Sequence, residues 1–151
     1  MLTDGDTQRQ YDSFIDKFSP EVAARAREER ARMRALLPCA IEMVYDNYNA
    51  LAIGFGPTER PSEAIFSLAV FPRWVTLCFL QGANIPDPDK MLNGSGSRVR
   101  HIRLIDPTTL LSPQVRSLML AALECARVPM SPYTKHAVIK KSVSAKQRPR
   151  R

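Results

Sequence analysis

The spacing of apolar residues in this chain changes at Pro38, and this change limits the folds that the chain can adopt. Before Pro38 the apolar residues recur every three or four positions, and just after it they recur every second position. Spacings of three and four are typical of an amphipathic helix, whereas a spacing of two is typical of a strand. The sequence therefore predicts helices followed by a sheet, which is the α+β class.

Two helices are predicted before Pro38, the first over residues 8–18. Ser19 and Pro20 then begin a second helix, because Ser is a favoured N-cap and Pro fits the first helical position. This helix reaches Leu37 and contains five arginines, Arg25, Arg27, Arg30, Arg32 and Arg34. Glutamates lie among the arginines, so we interpret the set as a solvated face and not as a nucleic-acid surface.

A hairpin is predicted after Pro38. Ile41, Met43 and Tyr45 alternate with Glu42 and Asp46, a second alternating run covers residues 51–55, and the residues between the two runs favour a turn. Residues 64–70 and 74–80 are almost continuously apolar, which predicts strands buried on both faces.

A fifth strand is predicted over residues 98–105, after a long loop at residues 82–97. Ser112 and Pro113 repeat the capping pattern and begin a third helix that extends to about Ala126. Short connections between strands favour antiparallel pairing. We therefore expect an antiparallel sheet of about five strands packed against two N-terminal helices and one C-terminal helix.

The 151 residues are enough for one domain, which we assign to residues 1–130, followed by a basic C-terminal tail at residues 131–151. Within the tail, residues 138–143 either add an edge strand or lack structure, and both alternatives stay open. Residues 145–151 are predicted to be disordered.

The net charge of +7 belongs entirely to the tail, because residues 1–134 contain fifteen Lys or Arg and fifteen Asp or Glu. A concentrated positive charge predicts weak nucleic-acid or polyanion contact. Six tail residues would make it: Lys140, Lys141, Lys146, Arg148, Arg150 and Arg151.

Targeting and redox features point to a cytoplasmic protein without membrane contact. The acidic start at residues 1–6 lacks the apolar core of a signal peptide. The longest apolar stretch, residues 64–80, is interrupted by Pro72 and Arg73 and is too short for a membrane helix. The three cysteines form no CxxC pair, so we expect reduced thiols.

One segment has the composition of a ligand site. A turn of Gly94, Ser95, Gly96 and Ser97 leaves backbone N–H groups free for an anion, and Arg98, Arg100 and His101 follow at once. Period 2 places Arg98 and Arg100 on one face of the strand, and His101 and Arg103 on the other.

Three interpretations of this segment stay open. The side chains of Arg100 and His101 pair with Asp46, Asp87 or Asp106 and stabilise the loop; or they form an anion pocket with Trp74 or Tyr45 as a wall; or His101 takes part in chemistry. The candidate ligand-binding residues are Tyr45, Trp74, Gly94, Ser95, Gly96, Arg98, Arg100 and His101.

No known catalytic or cofactor motif is present in the sequence. The Gly/Ser turn is not a Walker A loop, and neither a GxSxG elbow nor a metal-ligand spacing occurs. Asp12 and Asp16 face the same way on the first helix, where a solvated face is the simpler interpretation than a cation site. We therefore expect no metal, no cofactor and no catalytic residue, and we favour a protein that is not an enzyme.

Several stretches of the middle of the chain resemble the YdhG-like family of small bacterial domains of unassigned biochemical role. The resemblance rests on residues 45–51, 72–75, 81–83, 92–96 and 100–104. It implies an α+β fold with an antiparallel sheet packed on helices. One branch is described as a frataxin-like iron chaperone with acidic helix surfaces, but the second helix of this chain is rich in arginine. The family has no established catalytic residues to transfer.

The sequence thus favours a small non-enzymatic binding domain for a small anion or phosphorylated metabolite. One alternative is a nucleic-acid or polyanion accessory protein that acts through the basic tail. Another, implied only by the family resemblance, is a weak iron carrier. The oligomeric state stays open.

Overall fold

The computed structural model describes residues 4–151, with side chains from Gly5 onward. Residues 1–3, on which the signal-peptide argument partly rests, lie outside the described residues. Residues 4–151 contain three α-helices: α1 (Asp4–Ile15), α2 (Pro20–Leu36) and α3 (Pro113–Glu124). Short 3-10 turns lie at Pro61–Glu63, Gly82–Asn84 and Thr109–Leu111.

Two of the helices begin where the capping pattern predicts. The hydroxyl of Ser19 accepts the backbone N–H of Val22 at 3.3 Å, and the hydroxyl of Ser112 accepts that of Val115 at 3.3 Å. Each cap satisfies one of the backbone donors that the first helical turn leaves unpaired. The predicted starts of α2 and α3 are confirmed.

The sheet has six strands in the order β5-β4-β3-β2-β1-β6. They are β1 (Ile41–Asp46), β2 (Leu51–Gly56), β3 (Phe66–Val70), β4 (Val75–Phe79), β5 (Arg100–Arg103) and β6 (Ala137–Val143). The first five pair in sequence order and antiparallel, as predicted. β6 pairs parallel with β1, so the sheet is mixed and the expectation of a purely antiparallel sheet is wrong. The connection from β5 to β6 passes through α3, which is long enough for a parallel crossover.

The apolar core lies on one face of the sheet. The register aligns Leu51, Val70 and Val75 across three strands, and the neighbouring positions Ile53, Leu68 and Leu77 align in the same way; all six are buried. On the other face of β3, Ser67 and Ala69 are only half-buried. The prediction that residues 64–70 are buried on both faces is therefore wrong, because small side chains alternate with the large ones.

The C-terminal residues 145–151 lie against the body of the protein, so the prediction of disorder is wrong. The backbone N–H of Arg148 donates to the carbonyl of Tyr48 at 2.9 Å, and the side chain of Arg150 is buried. The Arg151 guanidinium donates to the carbonyls of Asp16 and Lys17, both at 3.2 Å. Local composition predicted disorder, whereas the acceptors come from segments about a hundred residues or more away in sequence.

No helix in the range 4–151 is long and apolar enough to cross a membrane. Cys39, Cys78 and Cys125 are all free thiols. Cys78 lies on β4, where burial raises the pKa of its thiol to about 11. A thiol with so high a pKa is a poor nucleophile at neutral pH.

Candidate functional site

Glu42 and Asp46 are two buried carboxylates on the helix-covered face of β1, and each pairs with more than one Lys or Arg side chain. Glu42 is fully buried and accepts Arg30 Nε at 2.8 Å and Arg34 Nε at 2.6 Å, and His136 Nε2 lies 3.1 Å from the same carboxylate. The Arg30 guanidinium also stacks on the Tyr11 ring, 3.8 Å from its centroid. Arg30 is 4% exposed, so the interpretation of all five α2 arginines as a solvated face is wrong for this one.

The second carboxylate, Asp46, orders the C-terminal tail. It is fully buried and accepts Lys17 Nζ at 2.6 Å and Arg150 Nη2 at 3.0 Å. Arg150 also donates to the carbonyl of Asn47 at 2.5 Å. Burial by itself raises the pKa of Asp46, but hydrogen bonds from Lys17 and Arg150 outweigh it, and the pKa lies below its usual value.

The tail therefore presents fewer free cations than its composition suggests. Of the six residues assigned to polyanion contact, Arg150 is buried against Asp46, and Arg151 contacts backbone carbonyls of the body. Lys140 and Lys141 lie on β6, and Lys146 and Arg148 are exposed.

The Gly/Ser turn and Arg100 form one local unit. Arg100 Nη1 donates to the carbonyls of Gly96 at 2.6 Å and Val99 at 2.8 Å. Gly94 has a φ of 121°, in the region that favours glycine. The backbones of Asn93 and His101 exchange two hydrogen bonds of 2.9 Å. Arg100 thus stabilises the turn through carbonyls.

The carboxylates predicted to pair with Arg100 and His101 have other partners. Asp87 accepts the backbone N–H groups of Met91 and Leu92, each at 2.9 Å. Asp106 accepts both the hydroxyl and the N–H of Thr108, and these hydrogen bonds lower its pKa. The predicted pairing with Asp46, Asp87 or Asp106 is therefore wrong, because Asp87 and Asp106 bind groups of their own segments and Asp46 binds Lys17 and Arg150.

The alternation of β5 is confirmed. Arg100 lies opposite Phe79, a core residue, whereas His101 lies opposite Cys78 on the other face. Arg103 is also on that other face, where its guanidinium stacks on Trp74 at 4.0 Å from the ring centroid.

The structure brings only some of the candidate ligand-binding residues together. Gly94, Ser95, Gly96, Arg100 and His101 lie in one turn and the adjoining strand. Tyr45 lies on β1, which β2 and β3 separate from β4, and burial raises its pKa. Trp74 lies just before β4, at the end of that strand opposite to Gln81. Neither aromatic ring forms a wall beside the Gly/Ser turn.

A cavity of about 530 Å³ lies between the C-terminal end of α3 and the connections that flank β3 and β4. Arg98 is the one candidate residue that lines it. Its apolar wall consists of Ala64, Ile65, Ile85, Ala122, Ala126 and Val128, and its polar groups are Ser62, Glu63, Gln81, Asn84, Arg98, Cys125 and Arg127.

Two guanidinium groups give this cavity a positive balance. Among the described side chains, no carboxylate lies within ion-pair distance of Arg98 or Arg127. The single carboxylate of the lining, Glu63, accepts the Thr58 hydroxyl at 3.0 Å. The C-terminal end of α3 adds roughly half a negative charge. Two positive charges thus face about one and a half negative charges.

The shape of the cavity depends on Gly82, which follows Gln81 and is the first residue of the 3-10 turn Gly82–Asn84. A Cβ at Gly82 would lie 2.6 Å from the Cβ of Arg100 and 3.0 Å from that of Phe79. Only glycine permits β5 to approach this closely. The turn that presents Gln81 and Asn84 to the cavity is therefore packed directly against Arg100.

Sequence analysis identified Arg98 but missed Arg127, Gln81 and Asn84. These residues come from three separate segments and form no motif. Arg127 follows α3 by three residues, a position that indicates only a helix C-terminus. Nothing in the local sequence links it to Arg98.

The described residues contain no group of three His, Cys, Asp or Glu side chains that could hold a metal ion. Asp12 and Asp16, which the sequence places on the same side of the first helix, both lie near the Arg27 guanidinium, at 3.6 and 2.8 Å. Their charge is thus partly compensated within the protein.

No protein-family model, no curated protein and no solved structure matches this chain. The resemblance to the YdhG-like family stays a prediction.

Proposed function

We propose that this chain is a small non-enzymatic binding domain for a small anion, a carboxylate or a phosphorylated metabolite, held in the cavity beside α3. One observation supports this most: Arg98 and Arg127 line the same cavity, and no described carboxylate pairs with either. A guanidinium group is a bidentate partner for carboxylate and phosphate oxygens. The cavity volume of about 530 Å³ falls within the range of small-molecule sites.

The remaining lining defines the kind of ligand. Gln81 and Asn84 lie close enough for a hydrogen bond of 3.4 Å between their amides, and both amides are exposed to the cavity. Two apolar side chains cover the other side: Ala122 of α3 and Ala126, which follows the helix. An anionic group beside the arginines and a small apolar body beside α3 would satisfy both sets of residues.

The absence of a base beside the thiol favours binding over catalysis. Cys125 is exposed, but none of the described residues that line the cavity is a histidine. A histidine is a common activating base for a cysteine nucleophile.

Thermal unfolding with and without millimolar phosphate and short-chain carboxylates tests the proposal. A ligand at a hundred times its Kd stabilises the folded protein by about 2.7 kcal/mol. We expect stabilisation of the natural protein that disappears in Arg98→Ala and in Arg127→Ala. Arg60→Ala and Arg116→Ala remove exposed arginines outside the cavity and should preserve it. The proposal is wrong if every ligand in the panel leaves the natural protein unaffected, or if the cavity variants retain the full stabilisation.

A further inference from the structure

A second basic region surrounds Trp74, at the end of β4 that is remote from the cavity. Trp74 is 37% exposed. Its ring contacts the Phe71 ring, with centroids 5.8 Å apart and planes inclined by 38°, and the Arg103 guanidinium, 4.0 Å from the Trp74 centroid. The three flat groups thus form a tilted stack, and its Arg103 and Trp74 members are exposed.

Two clefts adjoin this stack and share Arg73 and Trp74. The first, of about 450 Å³, is also lined by Arg103 and by Ile105, whose side chain is 79% exposed. The second, of about 510 Å³, is lined by Phe71 on one side and by Arg148 of the tail on the other. A ligand that occupies both clefts must pass over Trp74.

The charge of this region is positive. Arg73, Arg103 and Arg148 are exposed, and no described carboxylate lies within ion-pair distance of any of them. The lining of the first cleft contains a single carboxylate, Glu21, against three arginines, Arg25, Arg73 and Arg103. Arg25 of the same cleft donates to the carbonyl of Leu104 at 2.6 Å.

Backbone hydrogen bonds of the residues that follow β6 explain how Arg148 of the tail reaches this region. The N–H of Ser144 donates to the backbone carbonyl of Asp46 at 2.8 Å, and the N–H of Arg148 donates to that of Tyr48 at 2.9 Å. The buried Arg150 then holds the end of the chain against β1. Arg148 is thereby placed beside the Phe71–Trp74 turn, and Tyr48, 46% exposed, lies in the adjoining turn.

From these observations we infer that the clefts on the two sides of Trp74 bind a single-stranded nucleic acid. Bases stack on aromatic rings and on guanidinium planes, and arginines contact the phosphates between them. Arg73, Arg103 and Arg148, which lack a carboxylate partner, line the clefts together with Trp74 and Phe71 and provide both kinds of contact. Charge alone would serve any polyanion, but the exposed stack distinguishes unpaired bases from a duplex, whose bases are already stacked.

The fluorescence of Trp74 tests this inference directly, because it is the only tryptophan of the chain. The probe is an oligothymidylate of about twelve nucleotides, within the span of such grooves. We expect saturable quenching whose midpoint shifts to higher probe concentration as salt increases. A duplex of the same length and heparin should displace the probe only at much higher concentration and should not quench.

Fluorescence anisotropy of a labelled probe extends the test to Trp74→Ala. We expect this variant and Arg103→Ala to bind about tenfold more weakly or worse, and Arg73→Ala and Arg148→Ala to bind with a reduced salt dependence. Arg116→Ala is the matched control, and Arg98→Ala separates this surface from the cavity; both should bind as the natural protein does. Equal affinity for heparin and oligothymidylate, or full affinity in Trp74→Ala, overturns the inference.

Discussion

The arginines of this protein differ between the region around β1 and the two ends of β4. Beside β1, Arg30 and Arg150 are about 95% buried and each pairs with a fully buried carboxylate. At the ends of β4, Arg98 and Arg103 are exposed and have no carboxylate partner among the described side chains. The same residue type thus stabilises the fold in one region and is available to a ligand in the other.

This difference shows why the net charge of +7 does not by itself locate the unpaired arginines. The tail carries the whole excess in sequence, but two of its arginines contact the body of the protein. Exposed arginines without a carboxylate partner also lie around the cavity and around Trp74, and of these only Arg148 belongs to the tail. The local balance of paired and unpaired groups decides where an anion binds.

The largest expected effect is that of Glu42→Ala. It leaves Arg30 buried without its carboxylate and removes a partner from Arg34 and His136. Loss of one member of a buried ion pair destabilises a protein by about 3–5 kcal/mol. We expect a decrease of that size in the free energy of unfolding, measured by urea denaturation.

Glu59→Ala is the matched control, since Glu59 is exposed and lies on a loop. It should change the free energy of unfolding by less than about 0.5 kcal/mol. A loss below about 1 kcal/mol for Glu42→Ala would contradict the role assigned to this cluster.

A smaller loss is expected for Arg150→Ala. Asp46 keeps Lys17 as a partner, so the buried carboxylate loses only one of its two ion pairs. We expect a loss of about 1–3 kcal/mol in the free energy of unfolding. Arg148→Ala, two residues away and exposed, is the control that should leave stability unchanged.

The dependence of stability on pH identifies Asp46 as the group involved. Its folded-state pKa is lowered from 3.8, so its contribution is complete above the unfolded-state pKa and is lost as pH falls through the folded-state value. The natural protein should therefore lose stability steeply below about pH 4, and Arg150→Ala should lose less there, because a hydrogen bond that lowers this pKa is gone. If the variant and the natural protein lose the same stability at acid pH, a group other than Asp46 causes the loss.

The smallest effects on stability are expected at the ends of β4. Arg98→Ala and Arg127→Ala should change the free energy of unfolding by less than about 0.5 kcal/mol, because each side chain lacks a carboxylate partner. Arg103→Ala should lose about 0.5–1 kcal/mol with its contact to Trp74. A loss above about 2 kcal/mol would show that these arginines stabilise the fold, as Arg30 does.

Much of the fold follows from local chemistry. Ser19 and Ser112 fix the starts of α2 and α3, because a hydroxyl that accepts a backbone N–H acts within one helical turn. The alternation of β5, with Arg100 and His101 on opposite faces, follows from the pleat of a single strand. The candidate site was only partly predictable: Arg98 was named, but its companion Arg127 was not.

By itself the sequence determined the α+β class, the first five strands and the two capped helices, since these depend on interactions between residues a few positions apart. Only the tertiary structure decided that β6 pairs parallel with β1 and which arginines are buried. Arg150 and Asp46 are 104 positions apart in the chain, yet their side chains approach to 3.0 Å. No local pattern encodes such a pairing, because the free energy of an ion pair depends on distance and burial, and folding sets both.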